Sequence, residues 1–212
     1  MIKDKFNDII NVSVKPLMKE TGFKKVGLSF YKEHNDLIYL INIQNSTHNN
    51  YAEIDFYINC CIHSKQIDEG LGVEVRNQPK EYECYYGKRI KSITGYGKDR
   101  FPINSETDIP ELQEELKANL IKAIDYLTEI NHLDKLINLM ITQNGLQNFQ
   151  ELLAFLIKTN RIDFAKTHIH RLYHDFNNDS RWPKFEQKIN DILVTNKSTF
   201  TINELIENKN NR

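Results

Sequence analysis

The chain has 212 residues and a mass of 25.0 kDa, enough for one compact domain or a domain with an appendage. A formal net charge of −1 and a pI of about 6.7 give no whole-protein attraction to nucleic acid or to an anionic membrane. Cys60, Cys61 and Cys84 are too few and too irregularly spaced for a disulfide framework, and read as structural thiols in a reducing compartment.

The opening residues carry charges where a signal peptide would be apolar, and no apolar run approaches a membrane span, so a cytoplasmic protein is expected. Ile2, Phe6, Ile9, Ile10, Val14 and Leu17 share one stripe of a helix over residues 2–20. Pro16 removes a backbone donor and predicts a kink or break near Val12–Lys15. Gly22 suits a left-handed cap. Strands are read at Val26–Lys32, Leu37–Gln44 and Tyr51–Ile62, joined by short polar links rich in turn residues. Leu37–Gln44 is apolar at nearly every position until Asn42, as a central strand covered on both faces would be. In the third strand Ala52, Ile54, Phe56, Ile58, Cys60 and Ile62 alternate with Tyr51, Glu53, Asp55, Tyr57, Asn59 and Cys61. Period two predicts one buried and one wet face, with the leading helix lying over Ile54, Phe56 and Ile58.

The segments Lys-Pro-Leu-Met-Lys-Glu-Thr-Gly-Phe-Lys-Lys (15–25), Ser-Phe-Tyr (29–31), Ile-Asn-Ile-Gln-Asn-Ser (41–46) and Ile-Asp-Phe-Tyr-Ile-Asn (54–59) carry a resemblance. Over roughly residues 6–127 the chain resembles the bacterial domain of unknown function 4304. It departs from the family's usual Gln-Lys-Ser at Asn45. The resemblance implies the fold and carries no catalytic residue.

After Ile62 the signal weakens. Residues 63–80 hold Gly70, Gly72 and Pro79 and read as a loop with at most a short strand at Gly72–Arg76. Glu81–Tyr86 and Arg89–Thr94 read as a hairpin turning at Gly87-Lys88, and Asp99–Thr107 as a connector. Asp108, Pro110 and Glu111 form a helix start. Leu112, Leu116, Leu120, Ala123, Leu127 and Ile130 then make one stripe. Further helices are read at Leu133–Thr142, Leu146–Thr159, Arg161–Phe176 and Arg181–Val194, with no repeat of about 34 residues.

Three clusters could carry chemistry. His170 and His174, four apart on one helix, could supply two metal ligands, but no glutamate lies between them as a zincin would need, and solvated histidines are the simpler expectation. Lys88, Arg89, Lys91, Lys98 and Arg100 lie among Tyr82, Tyr85, Tyr86 and Tyr96. That mixture suits a protein interface or stacked nucleotides, against the plainer possibility of a solvated hairpin. Glu53, Asp55, Tyr57 and Asn59 share the wet strand face. Glu53 with Asp55 could do acid–base work or hold a cation, against the plainer expectation of an exposed acidic face, which could also be half of an interface for a basic partner.

The expected fold is α+β: an N-terminal helix packed on an antiparallel β-meander, followed by an all-helical C-terminal half. The divisions expected are an α+β domain over 1–107, a helical region over 108–195 and a flexible tail over 196–212. The function expected is a non-catalytic protein-binding module, in its narrowest form an immunity or antitoxin-like protein that neutralises a toxin. A metal-dependent enzyme and a nucleic-acid-binding protein are the alternatives. No cofactor is expected. The residues expected to meet a partner are Glu53, Asp55, Tyr57, Tyr85, Tyr86, Lys88, Arg89, Lys91 and Tyr96.

Overall fold

A computed structural model describes residues 2–207. The chain divides into two compact units. The first runs to Ser64 and resumes over Asn77–His132; the second takes Lys65–Arg76 and the described residues from Leu133 onward.

The first unit begins with α1 (Ile2–Asp8) and α2 (Lys15–Glu20), joined without a break by a π-helical segment, Ile9–Val14. Pro16 has no N–H and its ring crowds the preceding turn, which the wider π turn relieves. Lys15 accordingly donates five residues back, to the Ile10 carbonyl. The expected kink is thus a bulge. The helix ends at Gly22, whose φ of +86° lets Phe23 donate to Met18 and Gly22 to Lys19, the paired bonds of a Schellman cap.

An antiparallel meander follows: β1 (Lys24–Val26), β2 (Ser29–His34), β3 (Leu37–Asn45) and β4 (Ile54–Ser64). The single strand read over Val26–Lys32 is two. Gly27, at φ +61°, turns the chain back so that Val26 faces Ser29. β4 starts at Ile54, later than expected, because Asn50 Oδ1 accepts from the Ala52 and Glu53 amides and draws them out of the ladder.

On the outer edge of β4 lie two short strands. β5 (Tyr86–Arg89) pairs with Asn59–Ile62, and β6 (Phe101–Ile103) pairs with Ile54–Phe56. The expected hairpin around Gly87 does not form. Glu81–Glu83 is a 3₁₀ turn and α4 (Ile90–Thr94) follows β5. Gly87 is a packing residue: a Cβ there would meet Cys61 Sγ at 3.2 Å. The connector read over Asp99–Thr107 contains β6, whose Pro102 is tolerated because the strand is an edge.

One face of the sheet is the core. Phe56, Ile58, Cys60 and Ile62 are buried there, Phe6 meets Phe56 edge-on at 5.5 Å, and Phe101 stacks on Phe56 at 5.3 Å. α5 (Ile109–Glu129) packs on this face beside the leading helix through buried Leu116, Leu120, Ala123 and Leu127. Its start is as read: Asp108 accepts from the Glu111 amide at 3.0 Å. The Tyr39 hydroxyl donates to the Ile130 carbonyl at its far end. This helix therefore belongs to the sheet's unit, and the break in compactness falls at His132/Leu133 where the sequence placed it at 107/108.

The second unit holds α3 (Lys65–Leu71), α6 (Leu133–Gln143), α7 (Phe149–Lys158), α8 (Ile162–Phe176), α9 (Trp182–Thr195) and α10 (Ile202–Ile206). Residues 72–80 are irregular and the short strand considered at Gly72–Arg76 does not form, while α3 replaces the first half of the loop expected over 63–80. Its glycines have packing and capping roles: a Cβ on Gly70 would strike the Phe155 ring at 2.6 Å, and Gly72, at φ +75°, caps the helix. Asp68 is fully buried and accepts from the Arg76 guanidinium at 2.9 Å and the Arg76 amide at 3.0 Å. Trp182 packs edge-on against Tyr173 at 5.4 Å. Of the tail expected to be flexible, Ile202 and Leu205 are buried in α10, whose start is a Thr201–Glu204 capping box. Residues 208–212 of that tail lie outside the described residues.

Candidate recognition face

The second face of the sheet is divided in two. Toward the His63 end it is sealed, against the expectation of a wet face along all of β4. Leu40, Cys61 and Cys84 form a buried cluster with Tyr31 against it. The Tyr31 hydroxyl donates to Pro79 O at 3.2 Å, His63 stacks on Tyr85 at 5.1 Å, and His63 Nδ1 donates to Glu83 O. The segment 79–85 is thus a lid over this half. All three cysteines are buried thiols; burial raises the pKa of Cys60, and a hydrogen bond with Cys61, then burial, raises that of Cys84.

Toward the Asp55 end the same face is open, and here Ser29, Asn42, Gln44, Asp55, Tyr57, Asn59 and Arg89 project together. The ladder brings them into line: Ser29 opposite Asn42, Asn42 opposite Asn59, Gln44 opposite Tyr57, Asn59 opposite Arg89. Their side chains form a continuous hydrogen-bonded row. Arg89 Nη1 donates to Gln44 Oε1 at 3.1 Å, and Asn59 Nδ2 donates to the same oxygen at 3.2 Å and to Asn42 Oδ1 at 3.1 Å. Asn42 Nδ2 donates to Ser29 Oγ at 3.0 Å. The Arg89 guanidinium lies over the Tyr57 ring, 4.3 Å from its centroid. At the margin Arg100 Nη1 donates to Asp55 Oδ2 at 2.7 Å.

The residues singled out from sequence separate accordingly. Asp55, Tyr57 and Arg89 meet on the open face. Glu53 stands beside it in the exposed loop. Tyr85 is buried against His63. Tyr86 is buried on the core face, its hydroxyl 2.8 Å from that of Tyr126, and burial with this bond raises its pKa. Tyr96 stacks on Phe101 at 4.8 Å, and burial followed by a bond to Glu115 raises its pKa. Lys88 alternates with Arg89 and lies toward Tyr86. Lys91 is exposed on α4. The face is not acidic, since Arg100 neutralises Asp55. Asn42, Gln44 and Ser29 went unnoticed as site residues. Their signal was the period-two switch from Ile38 and Leu40 to Asn42 and Gln44 on one side of β3.

His174 Nδ1 sits 3.1 Å from Asp175 Oδ1, a carboxylate whose pKa is lowered first by that contact. His170 is half-buried nearby on α8, and no group of three potential metal ligands occurs among the described residues. His168 is different: it is buried, neither ring nitrogen has a well-aligned hydrogen-bond partner among the described residues, and its pKa is lowered to about 4. Burial is the main cause; the Phe149 main chain opposes it and the Arg171 charge adds to it. No helix among the described residues is long and apolar enough to cross a membrane.

The first unit is therefore a helix-covered antiparallel meander with a half-sealed, half-open outer face. A family model described as Domain of unknown function (DUF4304) matches residues 14–130, more than half of the chain, and the chain belongs to that family. No curated protein and no solved structure matches it.

Proposed function

We propose that this chain is a protein-binding module that meets its partner through the open half of the sheet face. The observation that carries this is the Arg89–Tyr57 stack anchored in the Ser29–Asn42–Asn59–Gln44 row. Arg and Tyr are the residue types most enriched among interface hot spots, and a side chain already held in its binding rotamer loses little entropy on association. Backbone ladders beneath the row fix its spacing. The narrower form of the proposal is an immunity or antitoxin-like protein, whose partner is a toxin.

A photo-crosslinking residue at position 44, with a control at exposed Lys122 on α5, tests the proposal in the native host. The expected result is one discrete protein adduct from position 44, none from position 122, and loss of the adduct when Tyr57→Ala and Arg89→Ala are added. Equal adducts from both positions, or none from position 44, would overturn it. The narrower form requires that the captured protein arrest growth when expressed alone, and that the wild-type chain but not the double variant restore it.

A further inference from the structure

We propose that the open face takes a carboxylate side chain from the partner, seated on Arg89, so that the partner's matching surface is acidic; this rests on the docking role proposed above. The amide oxygens of Gln44 and Asn42 are engaged within the row, while Asn59 Oδ1 and the buried Asp55 Oδ1 accept no hydrogen bond among the described residues. Gln44 Oε1 receives two hydrogen bonds and Asn42 Oδ1 one, whereas Gln44 Nε2 and the Tyr57 hydroxyl make none among the described residues. Arg89 has no carboxylate partner among the described residues; only Nη1 is engaged, with a neutral amide oxygen. An exposed or half-exposed guanidinium normally finds a carboxylate or remains mobile in water. Here the Tyr57 ring and Gln44 Oε1 hold its plane fixed and leave further N–H groups for a bidentate acceptor.

The charges favour the same sign. Two guanidinium groups, Arg89 and Arg100, stand against one carboxylate on the face, Asp55, which Arg100 already occupies. Glu53, in the loop beside Arg100, weights that margin toward neutrality and leaves Arg89 as the attractive centre. A nucleic-acid phosphate could pair with the same guanidinium. Base stacking, however, needs a bare aromatic face, and the face of Tyr57 toward Arg89 is covered. A chain of net charge −1 also gives a polyanion no long-range pull. An acidic protein surface needs neither.

The test is an NMR titration of the full chain, following the Gln44 side-chain amide and the Arg89 Nε signal, with oligoglutamate, oligolysine and oligothymidylate as separate probes. Oligoglutamate is expected to give saturable shifts at both signals that shrink as salt is raised. Arg89→Met, which keeps an unbranched stem but removes the guanidinium that lies over Tyr57, is expected to weaken binding about tenfold or more. Unchanged backbone signals on β3 would show that this variant is folded, and Arg89→Lys should recover only part of the affinity because it cannot pair bidentately. Absence of oligoglutamate shifts would overturn the proposal. Stronger shifts with oligolysine would overturn its sign while leaving the docking face standing, and stronger shifts with oligothymidylate would overturn both. If neither peptide binds, the crosslink at position 44 decides separately whether the face docks protein at all.

Discussion

Arg89 and Tyr57 sit on neighbouring strands, β5 and β4, two residues out of direct register, so that the guanidinium closes diagonally over the ring at 4.3 Å from its centroid. Diagonal neighbours on one sheet face are within reach of long side chains. The pair is half-exposed, which limits its worth. A double-mutant cycle with Tyr57→Ala and Arg89→Ala, read by urea unfolding, is expected to give a coupling of about 0.5–1 kcal/mol. A coupling near zero would mean that the stack is not populated in solution. A value well above that range would assign the pair a structural role and weaken its claim as a recognition element.

Gly70 lies in the last turn of α3, where helix propensity alone favours alanine by at most about 1 kcal/mol. The Phe155 ring rests where a Cβ would stand, 2.6 Å away, with Thr159 Cγ2 at 3.1 Å. Gly70→Ala is therefore expected to destabilise the helical unit by about 1–3 kcal/mol, despite the propensity gain. Trp182 is the only tryptophan and belongs to that unit, so its fluorescence follows the transition. Phe155→Leu, which vacates ring volume, should offset part of the loss. Stabilisation by Gly70→Ala alone would refute the close packing.

Gly70 and Gly72 also show where the sequence stopped being legible. Both are punctuation marks in a sequence read by local rules, and together with Pro79 they made 63–80 look like a loop. One is a contact and the other a helix cap, and only the position of Phe155, 85 residues later, separates those meanings. Gly87 misled in the same way, since its role is set by Cys61 across the ladder. Patterns with a strong period carried through: the buried set on β4, the α5 stripe and its Asp108 cap, and the central strand β3. The candidate face was half legible. Asp55 and Tyr57 follow from period two in β4, but the separation of Arg89 from Lys88, Tyr85 and Tyr86 depends on β5 pairing with β4, which no local rule contains.

His168 lies on the buried side of α8, three residues from Ala165 and four from Leu172. Its pKa falls from an ordinary 6.5 to about 4 because the charged form loses water on burial. The unfolded chain thus takes up the proton first. The histidine's neutral form is compatible with the fold above pH 6.5, and stability is lost as pH falls from 6.5 toward 4, levelling below that. The full loss is about 3 kcal/mol at the linkage slope of one proton. His168→Leu should remove this slope from Trp182-detected unfolding. An unchanged slope would place the proton uptake elsewhere.

Tyr51 is 96% exposed at the tip of the β3–β4 loop, which makes the rigidity of that loop the remaining question for the recognition face. Asn49 answers it with one side chain. Its Nδ2 donates to the Asp55 carbonyl at 3.0 Å and its Oδ1 accepts from the Asp55 amide at 2.8 Å, so the amide group stands in for a partner strand at the first turns of β4. Ser46 donates to the same Asp55 carbonyl and Asn50 to the Glu53 carbonyl, continuing the clasp. Asn49→Ala removes both side-chain bonds at once. The expected cost is about 1–3 kcal/mol, because each net hydrogen bond contributes of the order of 1 kcal/mol. Hydrogen exchange at the Asp55 amide should accelerate while exchange at Asn59, deeper in the ladder, should not. Loosening there would also free Asp55 to leave Arg100, and the Arg100 side-chain signals should sharpen toward those of a solvated arginine. If Asp55 exchange is unchanged, the loop is held by its backbone bonds alone and Asn49 is dispensable.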